Sequence, residues 1–178
     1  MKTLYALLFS IIASSSFAQT VDTSFKPEFL RPGTIFDILP VEDGKVIIAG
    51  NFSKFNSTKK TALIKLNADG TTDETFNSGT GPTMRTGDVV PDVQKIVKLG
   101  DGKFLIAGDF YSYDGVDRAR LARLNANGTL DQTFIPPPLP EESSEFLSGS
   151  SFIIVQQDGK ILTVQGSFTS PGGVSTFT

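Results

Sequence analysis

Asp101-Gly102-Lys103-Phe104-Leu105-Ile106-Ala107-Gly108-Asp109-Phe110 decides the fold, because the chain writes this pattern more than once. The Asp-Gly-Lys triplet stands at Asp43, Asp101 and Asp158, 58 and then 57 residues apart. Each copy runs into an apolar stretch, a Gly and a Phe: Phe52, Phe110 and Phe168. The first two copies go on to an Asn-Ala-x-Gly turn, at Asn67 and Asn125, and close on Asp-x-Thr-Phe at residues 73–76 and 131–134. A fixed period of this size marks a modular repeat protein. One unit cannot bury its apolar face alone, so neighbours must stack on it.

Within one unit the residues read as strands. Residues 35–41 predict a first strand whose end Pro40 pushes toward an edge or a bulge. Asp43-Gly44 is hairpin chemistry, since Gly takes a positive φ without penalty. The second strand, 45–50, is continuously apolar and predicts cover on both faces, as do 104–108 and 161–164. Leu63-Ile64-Lys65-Leu66 and Leu121-Ala122-Arg123-Leu124 carry one charge each, which predicts a third strand near the rim. Asn67 and Asn125 open a second hairpin turn, and Asp-x-Thr-Phe predicts a short fourth segment. Three or four antiparallel strands per unit describe one propeller blade. No stretch beyond the N-terminal segment keeps a 3.6-residue apolar period long enough for a helix.

The unit from Asp101 to Phe134 resembles the delta-60 repeat, a bacterial β-propeller-like module of just under sixty residues. The resemblance extends from Asp22 to Val174. It departs at residues 56–61, where Asn-Ser-Thr-Lys-Lys-Thr replaces a Gly-Val-containing loop, and at Gln165, an extra residue. It implies a secreted or surface propeller and brings no common activity and no catalytic residues. The expected fold is all-β: a β-propeller-like array of antiparallel blades, incomplete, with two full repeats plus partial ones. The expected division is 1–18 signal peptide, 19–34 orphan terminal strand and lead-in, 35–92 repeat 1 with its inter-blade loop, 93–149 repeat 2 with a Pro-rich loop, and 150–178 partial repeat 3. Asp22-Thr23-Ser24-Phe25 is the ending motif without its unit, as in a ring whose first and last blades interlock. The array breaks off before the third copy's turn, so an N-terminal fragment of a longer protein is expected.

The first residues serve another purpose. Lys2, the apolar run 4–13 and Ser16-Phe17-Ala18 predict a secretory signal peptide cut after Ala18, leaving Gln19 first. The run is short for a bilayer span. No membrane insertion is expected after cleavage. Loss of Lys2 leaves 15 basic against 19 acidic residues. That balance, with the basic residues scattered, argues against nucleic acid as a partner. Cysteine and histidine are absent. Stability must therefore come from packing, and Ser-His-Asp, Cys-His and His-zinc chemistry are excluded.

Few residues suggest chemistry. Asp43, Asp101 and Asp158 read as turn residues rather than ligands or acids. Residues 67–73, Asn-Ala-Asp-Gly-Thr-Thr-Asp, have the oxygen-rich spacing of a calcium loop, but the twelfth position is Ser78 rather than Glu. Phe110 reads as blade core, as do Phe52 and Phe168. Tyr111, with Tyr113, Arg118 and Arg120 nearby, is the candidate for stacking on a sugar, since its counterparts are Ser53 and Thr169. The Asn-x-Ser/Thr triplets at Asn51, Asn56 and Asn127 read as turn composition. Residues 77–92 and the run from Pro136 to Ser144 read as spacers between units. The expected function is a non-catalytic binding or cell-surface module without cofactor or metal, its partner an unknown protein or carbohydrate. The alternatives are a glycosidase or lyase using paired carboxylates, for which Asp92, Asp114 and Asp117 are the loop acids, and a calcium-dependent adhesion module.

Overall fold

A computed structural model describes residues 23, 29–30, 33–85, 89–118, 120–136, 152–164 and 174–177. The signal peptide reading, most of the orphan ending motif, Phe168 and the Pro-rich run beyond Pro136 lie outside them. The chain is all-β. Its strands are β1 (Phe29–Leu30), β2 (Thr34–Pro40), β3 (Val46–Asn51), β4 (Lys54–Phe55), β5 (Thr58–Lys59), β6 (Leu63–Leu66), β7 (Pro82–Thr83), β8 (Lys95–Lys98), β9 (Phe104–Ala107), β10 (Ser112–Tyr113), β11 (Val116–Asp117), β12 (Leu121–Leu124), β13 (Phe152–Val155), β14 (Ile161–Val164) and β15 (Val174–Phe177).

Three sheets repeat one plan, in the orders β2-β3-β6, β8-β9-β12 and β13-β14-β15, with every pairing antiparallel. The registers coincide. Val46 faces Leu66, Phe104 faces Leu124, and Ile161 faces Phe177. The continuous apolar runs are the central strands: Ile47 to Gly50 and the whole of β9 are buried. Pro40 sits at the end of edge strand β2, where its missing N–H costs no ladder bond. β2 is bulged between Ile35 and Asp37.

The turns follow their sequence. Around Asp101, Asp158, Asn67 and Asn125 a three-residue loop closes with a Gly at positive φ: Gly102 at 82°, Gly159 at 83°, Gly70 at 82° and Gly128 at 85°. This is the geometry of a type I turn with a Gly bulge. The first triplet differs. Asp43 and Gly44 both take positive φ, 59° and 69°, and the Lys45 N–H donates to the Glu42 carbonyl, as in a type I′ turn. The Gly that ends each apolar run has another duty. A Cβ on Gly50 would stand 2.2 Å from the Thr34 carbonyl oxygen, and one on Gly108 would stand 2.2 Å from that of Asp92.

Two expectations need correction, and one needs extension. The Asp-x-Thr-Phe ending is not a fourth strand. One bridge, Leu66 to Thr72 or Leu124 to Leu130, is followed by a turn in which the Asp carboxylate accepts the Thr N–H and hydroxyl and curls the chain. The third strand does lie at the rim of its sheet, but its charge does not serve the solvent alone. Its other residues are buried, and Lys65 and Arg123 turn to those same Asp carboxylates. Nor is 77–92 a plain spacer. It supplies β7, which joins β10 and β11 in a small sheet, as β1 joins β4 and β5 in the first unit.

The second repeat sheet packs through both faces. Ile47, Ala49 and Leu63 of the first sheet meet Ile96, Phe104, Ile106, Ala122 and Leu124 of the second. The second sheet's opposite face, with Leu105, Ala107 and Leu121, meets Ile153 and Ile161 of the third. Corresponding positions do the same work one unit further on. Polar links reinforce the first junction. Val93 N–H donates to the Gly50 carbonyl at 3.0 Å, and the Asp37 carboxylate accepts Ile96 N–H at 3.0 Å and pairs with Lys95 at 2.9 Å. Phe76 leaves its own unit, packs edge-on against Phe104 with centroids 6.4 Å apart, and lies against Gly128.

Candidate functional site

The two signature motifs meet in space. Lys45 lies 28 residues before Asp73, and Lys103 28 residues before Asp131. Lys45 Nζ reaches Asp73 Oδ2 at 3.0 Å, with Lys65 at 3.5 Å. Lys103 Nζ reaches Asp131 Oδ2 at 2.8 Å, with Arg123 Nε at 2.7 Å. The other carboxylate oxygen accepts the N–H and hydroxyl of Thr75 or Thr133. Asp73 is 3% exposed and Asp131 4%. Both hold their protons far more weakly than an ordinary carboxyl: Asp73 chiefly through the Thr75 hydroxyl and Lys45, Asp131 chiefly through Lys103 and Thr133. These are acids ionised at neutral pH and fully engaged, and they tie the first hairpin turn to the unit's end. The sequence singled out the triplet Asp and passed over the Lys beside it. The constant 28-residue offset to a second recurring Asp was the available signal.

The loop acids each have a partner within the fold. Asp114 Oδ1 accepts Thr80 N–H at 3.1 Å, and Asp117 Oδ2 accepts the Tyr111 hydroxyl at 3.0 Å. Asp92 Oδ1 accepts Asp109 N–H at 2.7 Å, and Arg120 lies 3.4 Å from Asp109. Burial, reinforced by the like charge of Asp109, pushes the Asp92 carboxyl upward. In the calcium-like loop, Asp69 accepts the N–H and hydroxyl of Thr71, which hold its proton affinity down, and Asp73 points to lysines. Among the described residues, no three Asp or Glu side chains gather into a metal cage.

Phe52 and Phe110 are core, as expected, and so is Tyr113, whose hydroxyl donates to the Gly128 carbonyl at 2.9 Å. Burial drives the Tyr113 phenol upward, so it stays protonated. Arg118 is buried and donates to the Asp117 carbonyl, whereas Arg120 pairs with Asp109. Tyr111 is half-buried. The exposed Arg85 guanidinium lies over its ring, 4.2 Å from the centroid, and its hydroxyl is held by Asp117. Arg85-Tyr111-Asp117 on the small β7-β10-β11 sheet is thus the preorganised polar and aromatic patch of the second unit. Arg85 was missed because its partner comes from 26 residues further on. The hairpin that carries the patch was missed too, although Asp114-Gly115 is itself a two-residue turn signal, with φ 48° and 76°.

No curated protein and no solved structure matches the chain. A family model described as "Domain of unknown function (DUF5122) beta-propeller" matches residues 42–76 and 99–134, the two spans from the triplet turn to the closing Phe. The chain therefore carries a propeller-like repeat twice, in an all-β array of antiparallel blades that does not close into a ring within the described residues.

Proposed function

We propose that the chain is an exported, non-catalytic repeat module, of the delta-60 kind in its finer family, that binds a protein or carbohydrate or builds surface architecture. The observation that carries this reading is the fate of its acids. Asp73 and Asp131 are locked in ion pairs, and Asp92, Asp114 and Asp117 each accept a hydrogen bond that holds a turn or strand end. A glycosidase needs two carboxyls flanking one bond about 5–9.5 Å apart and free to trade protons. Export is supported by Lys2, the apolar run 4–13 and the small residues before Gln19. The binding surface is the Arg85-Tyr111-Asp117 patch, where a ring with a stacked cation and a fixed carboxylate offers both apolar and hydrogen-bonding contact.

The test is a glycan array and a hydrolysis and elimination screen on the same full chain. Glycan binding without turnover, weakened at least tenfold by Tyr111→Ala, is expected. Turnover abolished by Asp92→Asn would replace this reading with the paired-carboxylate one. N-terminal sequencing of the exported product should begin at Gln19.

A further inference from the structure

The two small sheets end alike, and the likeness breaks at one charge. In the first unit Lys60 follows β5, and its N–H donates to the Ser53 carbonyl at 3.2 Å. In the second unit Arg118 follows β11, and its N–H donates to the Tyr111 carbonyl at 2.9 Å. The two basic residues stand 58 positions apart, the period of the repeat. Lys60 has a counter-charge: its Nζ lies 3.8 Å from Oε2 of Glu74, 14 residues on in the closing motif. The residue 14 beyond Arg118 is Gln132, which carries no charge.

Arg118 is 7% exposed, and its Nη1 donates to the Asp117 carbonyl at 2.7 Å. Its buried Nε has no hydrogen-bond partner. Among the described residues no carboxylate oxygen comes within ion-pair distance of it. A cation taken out of water without a counter-charge is costly, and an orphaned donor adds to the cost. Glu74 shows where the missing charge belongs. Its side chain is 76% exposed, so a carboxylate reaches this position from the solvent side.

The neighbours say what brings the carboxylate. Arg118 is backbone-paired with Tyr111, whose ring carries the exposed Arg85 guanidinium and whose hydroxyl is fixed by Asp117. An aromatic ring with a polar rim suits a sugar, and a guanidinium fork suits a planar carboxylate. We infer that Arg118 is the carboxylate-binding residue of this patch and that its ligand is an acidic carbohydrate, a uronate-bearing chain. This rests on the reading of the Arg85-Tyr111-Asp117 patch as the binding surface.

The test is calorimetric titration of the full chain with oligogalacturonate and with a neutral galactose oligomer of equal length. The acidic oligomer should bind about tenfold more tightly, as one charge-assisted contact allows. Gln132→Glu supplies the carboxylate that the first unit has, at an exposed site where the fold should stand, as circular dichroism will show. It should remove the acidic preference and leave the neutral affinity unchanged, as should Arg118→Gln. Asn127→Asp adds the same charge at an exposed turn where the first unit has Asp69, and should keep the preference. Equal binding of the two oligomers, weakened by Tyr111→Ala, would overturn the inference and leave the binding surface standing. Binding of neither would overturn both. An acidic preference that survives Gln132→Glu, or tighter binding of an oligoglutamate peptide than of oligogalacturonate, would also overturn it.

Discussion

At the scale of the residue, the repeat signature is an electrostatic device. Lys103 and Arg123 are a quarter to a third exposed, whereas Asp131 is buried, so the carboxylate is the indispensable partner. Asp131→Ala should destabilise the fold by about 1.5–3 kcal/mol, the range for hydrogen bonds to a charged group. Lys103→Met or Arg123→Met alone should cost less, because the other cation remains. Urea titration would separate the three. The pH dependence has a definite sign. The folded carboxyls of Asp73 and Asp131 release their protons more readily than in the unfolded chain, so the unfolded state binds more protons in acid. The stability they contribute is complete above about pH 4 and declines as pH falls below it. Asp131→Asn should flatten that acid limb. Asp92 has the opposite sign: its folded pKa is raised, so its contribution is fullest in acid and lost as pH rises. Asp92→Asn, which keeps an acceptor for Asp109 N–H, should be at least as stable as wild type at pH 7. That advantage should shrink toward pH 4, read from thermal midpoints.

At the scale of the element, much of the sheet was legible because periodicity and turn chemistry are local properties. The buried central strands, the Gly turns and the core Phe52 and Phe110 all follow from adjacent residues. What stayed hidden was non-local. Lys65 and Arg123 read as rim charges because a buried carboxylate 8 residues later cannot be seen in a four-residue strand. The ending read as a strand because the curl depends on a side chain folding back on its own backbone. The glycines give an element-scale test. Gly108→Ala must displace the Asp92 carbonyl and should cost about 1–3 kcal/mol or more, as overpacking does. Gly102→Ala meets nothing within 4 Å and should cost about 1–2 kcal/mol through its positive φ alone. Denaturant midpoints of the two variants check the order.

At the scale of the whole molecule, stacking carries stability, and the proposed binding surface sits on what stacking leaves over. Ile106 faces the first sheet from the centre of the second, and Ile106→Ala should cost about 2–5 kcal/mol. That loss should lower the unfolding midpoint of both units together, because they share one core. The period announced this arrangement, whereas the Arg85-Tyr111-Asp117 patch arises from two segments that meet only once the small sheet is formed. The central claim is that consecutive units lean on one another through the same positions, and Phe76 reaching into the second unit is its sharpest instance. Nuclear Overhauser contacts from the Phe76 ring, measured on the full chain, test it directly. The account predicts cross-peaks to the Phe104 ring and to the Gly128 Hα protons, the latter shifted upfield by the ring. A Phe76 whose contacts stay within residues 42–76 would contradict it.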